Sequence, residues 1–257
     1  MKNGYSIIVN NLRKSFGNEE VLKDVSFKVK YGEIIGILGL SGAGKTTLLR
    51  CLIGLETPDS GEIIIDNKKI VFDKNKSNNK NQIRKKIGMV FQQFNLIPRT
   101  TVLTNVLIGR LPHINERGII YRIGTYFGYF PQKDVEIAKN CIYKVGLGDK
   151  INSKVSKLSG GQQQRVGIAR ALAMEPIVLL ADEPVSNLDP KTSEEILGLF
   201  KLISKNDNIS IIISLHQLEY AKKYCDKILG LSNGKVVYYG SPKNLDEGII
   251  KKIYSKK

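Results

Sequence analysis

Gly39-Leu40-Ser41-Gly42-Ala43-Gly44-Lys45-Thr46 is the stretch that decides how this chain is read. It fits the spacing G-x-x-x-x-G-K-[ST]. A continuous apolar run, Ile34 to Leu38, precedes it, and Leu48, Leu49 and Leu52 follow at helical intervals. Strand, glycine loop and helix together form the context in which that spacing carries meaning. Glycines let backbone N–H groups turn inward around phosphate oxygens, and the helix start adds the positive end of its dipole. In such a loop Lys45 neutralises the β- and γ-phosphates of a nucleotide, and the Thr46 hydroxyl ligates Mg²⁺. The competing reading is a glycine-rich turn with no ligand.

Outward from this loop, short β-branched runs alternate with helix-like segments, the pattern of an α/β protein. Val25, Phe27 and Val29 alternate with polar residues, as in a half-buried strand. Pro58-Asp59-Ser60-Gly61 reads as a turn before a strand at Glu62 to Ile65. Lys74 to Gln82, rich in lysine and asparagine, reads as a surface loop. Later strands are expected at Val178–Ala181, Ser210–Ser214 and Lys227–Leu231. The turn Ser232-Asn233-Gly234 then leads to a last strand at Lys235–Tyr239. From about Asn95 to Met174 the pattern is helical, with Val135, Ala138, Ile142 and Val145 on one face. This stretch reads as a helical insert within a single domain spanning 1–257.

Two further motifs bear on chemistry. The apolar run Ile177 to Ala181 stops abruptly at Asp182-Glu183-Pro184. In open parallel sheets ligands bind beyond the carboxyl ends of the strands. There Asp182 can hold a Mg²⁺ shell, and Glu183 can orient and deprotonate an attacking water. The bland alternative is a solvated helix start. Leu158-Ser159-Gly160-Gly161-Gln162 opens a helix that runs through Arg170. Ser159 and Gln162 satisfy S-x-x-Q, a capping box, which accounts for a well-capped helix. A capping box does not need two consecutive glycines, and bare backbone at a helix start is also an anion site. A chain with two phosphate cradles holds either two nucleotides or one nucleotide shared between two chains.

Composition narrows the classes. The 257 residues carry 40 Lys+Arg against 24 Asp+Glu, a formal charge of +16. The basic residues are spread along the chain, so a dedicated nucleic-acid surface is not expected; attraction to anionic lipid is. Cys51, Cys141 and Cys225 form neither a metal-spaced pair nor a disulfide framework. No apolar run reaches the roughly 18–20 residues that cross a bilayer. The first nine residues do not resemble a secretory signal. Work at a membrane is therefore expected from its cytoplasmic side, through partner subunits.

Leu158–Gln162 lying between the Gly39–Thr46 loop and the Val178–Glu183 strand resembles the ATP-binding-cassette (ABC) ATPases, over nearly the whole chain. The resemblance implies a P-loop NTPase with a RecA-like core, an antiparallel β subdomain near the N-terminus and the helical insert at about 95–174. It implies ATP and Mg²⁺ as ligands, with Thr46, Gln92 and Asp182 toward the metal and Glu183, His216, Lys45 and Gln92 as catalytic. Gly39, Leu40, Ser41, Gly42, Ala43, Gly44, Lys45, Thr46 and Thr47 would hold the phosphates. Phe16 matches the aromatic that stacks on adenine, or is an ordinary core phenylalanine. Gln92 matches the glutamine near the metal and water, although Gln93 is its neighbour. His216 matches the histidine at the γ-phosphate, where a lone histidine after a strand is otherwise structural. Ser186-Asn187-Leu188-Asp189 matches the loop at the dimer interface, with Asp189, Ser159, Gly160, Gly161 and Gln162 facing nucleotide. In this family two copies pair head to tail with ATP between them, on two transmembrane permease subunits served by an extracytoplasmic solute-binding protein.

Among such ATPases, Arg99–Leu111, Phe130–Asp134, Ala181–Ser193 and Leu215–Ala221 are most similar to the phosphonate import ATP-binding proteins. Phosphate-, methionine- and polar amino-acid-type importers share most of that pattern. A more remote alternative is a cassette acting on nucleic acid or the ribosome. Tyr121, Tyr126, Phe127, Tyr129 and Phe130 are either core of the helical part or the groove that receives a cytoplasmic helix of the permease.

Overall fold

The computed structural model describes residues 4–70, 85–114, 125 and 128–255. The Lys74–Gln82 loop, and Tyr121, Tyr126 and Phe127 of the aromatic stretch, lie outside the described residues. Strands β1 (Tyr5–Phe16) and β2 (Glu19–Lys30) pair antiparallel, and β1 pairs on its other edge with β4 (Ser60–Ile65), which carries β5 (Lys68–Ile70). Between them in sequence come β3 (Ile34–Leu38) and helix α1 (Lys45–Leu52). Then follow β6 (Ile87–Val90), α2 (Val102–Leu107), α3 (Leu111–Ile114), α4 (Gln132–Lys144) and α5 (Gly160–Leu172). The chain continues with β7 (Val178–Ala181), α6 (Pro190–Asp207), β8 (Ser210–Ser214) and α7 (Leu218–Tyr224). It closes with β9 (Lys227–Ser232), β10 (Lys235–Gly240) and α8 (Glu247–Ile253).

The central sheet has the order β10-β9-β3-β8-β7-β6, parallel from β9 to β6, with β10 antiparallel at one edge. Strands β3, β6, β7 and β8 are buried at every position, as parallel strands covered on both faces must be. Their side chains divide with the period of two. Ile35, Ile37, Val178, Leu180 and Ile212 join the core shared with the antiparallel sheet and α1. Ile34, Leu38, Leu179, Ala181, Ile211 and Ile213 join the core under the helices. Helix α1 is thus held among strands, with Leu48, Leu49 and Leu52 fully buried. The expected α/β fold with an antiparallel β portion is present.

One strand went unread in the sequence, and one boundary needs correction. β1 is longer than any run legible near the N-terminus, because bulges at Val9/Leu12, Leu12/Lys14 and Lys14/Ser15 break its alternation. The turn placed at Pro58–Gly61 ends sooner, since Ser60 already pairs with Arg13 and β4 begins there. Gly61 (φ +101°) presses on β1, where a Cβ would lie 2.6 Å from the Asn11 carbonyl oxygen. The hairpin at Asn233-Gly234 has positive φ at both residues, as a two-residue turn of the primed type requires.

On α4, Ala138 and Ile142 are fully buried and Val135 packs against the same core, so the helical face read from sequence is the buried one; Val145, also buried, caps it. A buried ion pair with no sequence signature fixes this helix. Arg110 Nε donates to Asp134 Oδ1 at 2.9 Å, and its Nη1 donates to the Ala173 carbonyl (2.6 Å) and Glu175 Oε2 (2.7 Å). Arg110 is 2% and Asp134 0% exposed. Asp134→Ala would leave a guanidinium without its buried carboxylate, so urea unfolding is expected to show a loss of about 3–5 kcal/mol. An unchanged midpoint would mean that the pair is not what anchors α4.

Candidate active site

The loop between β3 and α1 owes its shape to what packs behind it. Gly42 and Gly44 adopt φ +80° and +102°. A Cβ on Gly39 would stand 2.2 Å from the Leu231 carbonyl oxygen, and one on Gly44 would stand 2.9 Å from that of Val21. Gly234 N–H donates to the Ala43 carbonyl at 3.2 Å, so the β9–β10 hairpin braces the loop. Lys45 is 5% exposed, and its Nζ donates to the carbonyls of Gly39 (2.9 Å) and Leu40 (3.1 Å). An ammonium has three donors, so one remains for a further acceptor. Burial pulls the Lys45 pKa below its ordinary value, and the Glu183 and Asp182 carboxylates oppose that shift.

The parallel sheet brings three strand ends to this loop. Thr46, just inside α1, donates from Oγ1 to Asp182 Oδ1 at 3.3 Å. Ser214, at the end of β8, donates to the same Oδ1 at 2.9 Å and accepts from the Glu183 N–H at 2.8 Å. Glu183 itself sits at φ +46°, a left-handed backbone that turns its side chain off the strand tip. His216, beyond β8, places Nε2 2.6 Å from Glu183 Oε1. Gln92, beyond β6, donates from Nε2 to Ser186 Oγ at 3.4 Å, and Ser186 donates in turn to the Glu183 carbonyl at 3.0 Å. That contact distinguishes Gln92 from Gln93 as the residue facing the carboxylate loop. Lys45, Thr46, Asp182, Glu183, His216 and Gln92 therefore converge; Gly39 to Thr47 form the floor.

The other residues singled out from sequence lie apart. Phe16 ends β1 and is 47% exposed, with Lys14 Nζ 5.0 Å from its ring centroid, so it is not a core phenylalanine. Ser159 caps α5 in a complete capping box: its N–H donates to Gln162 Oε1 (3.0 Å), and its Oγ accepts from Gln162 N–H (3.3 Å). Gly161 is buried where a Cβ would stand 2.4 Å from Thr192 Cγ2, whereas Ser159 and Gly160 are exposed. Asp189 caps α6 through Thr192 N–H at 3.0 Å, and hydrogen bonding from the Thr192 side chain and then its N–H lowers the Asp189 pKa. Among the described residues no hydrogen bond or ion pair joins 159–162 to 39–47.

Sequence reasoning missed Ser214 and Arg170, and it read Ser186 only as part of the loop at the dimer interface, not as a partner of Gln92 and Glu183. Ser214 was legible only as the last residue of an apolar strand. Arg170, whose pKa burial lowers, donates to the carbonyls of Asn95 (2.6 Å) and Phe94 (3.1 Å), pinning the chain after Gln92 to α5. Of the aromatic stretch, Phe130 packs on the helical core and Tyr129 is 77% exposed.

Residues 22–186 match the family model described as ABC transporter. The chain is 44% identical over 252 residues to the phosphonates import ATP-binding protein PhnC of Thiobacillus denitrificans, covering 98% of this chain and 93% of that protein. It is also 44% identical over 239 residues to the phosphite import ATP-binding protein PxtA of Stutzerimonas stutzeri, covering 93% and 83%. Its fold resembles cbiO1 of Clostridium perfringens, part of an ABC transporter complex (TM-score 0.80, 31% identity, 93% and 89% covered). It also resembles the cassette MJ0796 solved as a dimer with ADP and Pi (TM-score 0.75, 36% identity, 93% and 100% covered).

Ser214 is the joint on which the two carboxylate-bearing residues meet. Ser214→Ala would leave a buried carboxylate oxygen and a backbone N–H each short of a partner. A stability loss of about 1–3 kcal/mol is expected in urea titration. A midpoint equal to wild type would remove the joint from this account.

Proposed function

The chain belongs to the ABC transporter family, and we propose that it is the ATP-hydrolysing subunit of an importer for phosphonates or a related phosphorus oxyanion. The observation that carries the ATPase half is the convergence of Lys45, Thr46, Asp182, Glu183 and His216 on one loop at the sheet's C-terminal edge. The cargo half is supported by the phosphonates and phosphite import relatives, each 44% identical. Nothing in the described site is shaped for cargo, so the cargo reading rests on kinship.

Each residue has a task that follows from its place. Backbone N–H groups of 39–46 and the third Lys45 donor bind the β- and γ-phosphates, with Thr47 in the first turn of the same helix. Thr46 Oγ1 and Asp182 Oδ1, 3.3 Å apart, form a hard-oxygen pair of the kind Mg²⁺ prefers. Among the described residues no group of three or more His, Cys, Asp or Glu could hold a metal alone. That fits an ion carried in largely by phosphates and water. Bound there, Mg²⁺ would spread the charge that develops on the phosphoryl oxygens. Glu183 accepts the proton of the attacking water; His216, whose Nε2 lies 2.6 Å from Glu183 Oε1, is the donor for the γ-phosphate. Gln92 senses the same loop through Ser186. Phe16 offers its exposed ring to adenine.

Ser159, Gly160, Gly161, Gln162 and Asp189 complete the site in a second copy, so a head-to-tail homodimer encloses ATP and opens after hydrolysis. Among the described residues no helix is long and apolar enough to cross a membrane. Two permease subunits would hold the dimer at the cytoplasmic face of the membrane, and an extracytoplasmic binding protein would deliver cargo. The helical part at about 95–174 is the surface we assign to the permease. A role on nucleic acid is not proposed.

Glu183→Gln keeps the phosphate cradle and removes the proton acceptor. It should bind ATP, accumulate as a dimer in size-exclusion chromatography and lose on the order of 10²–10⁴ in turnover. Hydrolysis at the wild-type rate would overturn the assignment of Glu183. The proposal also requires that turnover respond to reconstituted permease and not to DNA or RNA.

A further inference from the structure

At the end of β1 a second cluster is built around Phe16, and its other members, Lys14 and Asp59, have no role in the chemistry described above. Lys14 Nζ lies 5.0 Å from the Phe16 ring centroid. The Lys14 side chain is only 13% exposed, although it belongs to a surface strand. Asp59, in the turn that follows α1, stands 3.6 Å from Lys14 Nζ through Oδ1. The other Asp59 oxygen accepts from Ser15 N–H at 2.6 Å, and Asp59 N–H donates to the Arg13 carbonyl at 2.9 Å. Asp59 therefore holds the backbone on both sides of Lys14, through its carboxylate at Ser15 and its own N–H at Arg13, and its carboxylate holds the cation as well. The bond from Ser15 N–H, with Lys14 adding its charge, keeps the Asp59 carboxyl below the usual carboxylate range.

A single ion pair with one partner at the surface contributes little to stability. Its geometric effect is larger than its energy. The pair falls where β1 is bulged and would otherwise leave the Phe16 ring unguided. A cation over one face of an aromatic ring draws π density toward itself. The opposite face becomes less negative, which suits an offset stack with the broad π system of a purine. Holding the ring also removes part of the ordering cost of binding.

We infer that Lys14, clamped by Asp59, is a positioning residue for the nucleotide base, acting through the Phe16 ring and favouring purine nucleotides. This rests on the reading of Phe16 as the base-stacking residue. It adds a mechanical consequence: α1 begins with the phosphate-binding Lys45 and ends at Leu52, and the connection 53–58 leads to Asp59. One continuous segment thus registers the triphosphate site against the base site.

The test compares ATPase kinetics of wild type, Lys14→Met, Phe16→Ala and the double variant, with inorganic tripolyphosphate as a competitor that has no base. Lys14→Met should raise KM for ATP about two- to fivefold, leave kcat within twofold and leave the tripolyphosphate inhibition constant unchanged. In the Phe16→Ala background it should add no further rise. Asp59→Asn, which keeps the shape and removes the charge, should move KM in the same direction. If Phe16→Ala raises KM and Lys14→Met does not, the inference is wrong and the reading of Phe16 stands. If Lys14→Met weakens tripolyphosphate equally, or acts undiminished without the Phe16 ring, Lys14 is only a general attractor of phosphate and the inference also fails. If Phe16→Ala leaves KM unchanged, the base-stacking reading falls and takes the inference with it.

Discussion

A single carboxylate oxygen, Asp182 Oδ1, receives hydrogen bonds from both Thr46 and Ser214. The three residues come from α1, the position just after β7 and the end of β8, which are far apart in the chain. They meet because β8 lies between β3 and β7 in a parallel sheet, so all three strands end on the same side. The shared oxygen is 7% exposed at the residue level, a burial that is costly for a charge without partners. Its partners are also what orient the site. Ser214 accepts from Glu183 N–H, so the group that fixes Asp182 also fixes the start of the left-handed turn at Glu183. Two adjacent carboxylates at one strand tip are thereby given different surroundings. Asp182 is turned inward toward the phosphate-loop helix, and Glu183 outward to His216.

The helical side of the molecule is connected to that turn by a short physical chain. Arg170, near the end of α5, holds the carbonyls of Phe94 and Asn95. Gln92, two residues before Phe94, reaches Ser186, and Ser186 holds the Glu183 carbonyl. Below α5, the Arg110–Asp134 pair locks α4 to the Ala173–Glu175 corner. A shift of the helices therefore has a route to the carboxylate loop through side chains already in contact. The weak link is the 3.4 Å bond between Gln92 and Ser186, between two exposed residues. Such a bond is easily exchanged for another acceptor, which is a property suited to a sensor and not to a brace.

The fold was largely legible because its strands are buried on both faces and its loop is tied to glycine. Continuous apolar runs such as Ile34–Leu38 and Val178–Ala181 have few alternatives once a glycine loop follows or a pair of carboxylates ends them. β1 was not legible, because its bulges shift the pattern by a residue and spoil the alternation on which a period-two reading depends. Of the site, the residues with distinctive chemistry were found: Lys45, Asp182, Glu183 and His216 now lie together. Ser214 and Arg170 were not, since a serine ending an apolar strand and an arginine ending a helix are common and gain meaning only from what the fold sets beside them. Kinship supplied His216 and Gln92; spacing alone had no power over either.

The two glycines after Ser159 separate into two causes. Gly161 is required by packing, because Thr192 of α6 leaves no room for a Cβ there. Gly160 has no such neighbour at close range: the nearest atom to its would-be Cβ is Leu188 Cδ2, at an ordinary 3.5 Å. The capping box consumes the N–H groups of Ser159 and Gln162, while those of Gly160 and Gly161 are first-turn amides with no acceptor within their own helix. A helix that needed only a good cap would place any small polar or helix-forming residue at 160. A bare, exposed backbone there gives up the packing of a side chain and gives close approach in exchange. Within the chain nothing described makes that approach. In the arrangement proposed above, the phosphate site of a head-to-tail partner is the surface that would use this open backbone.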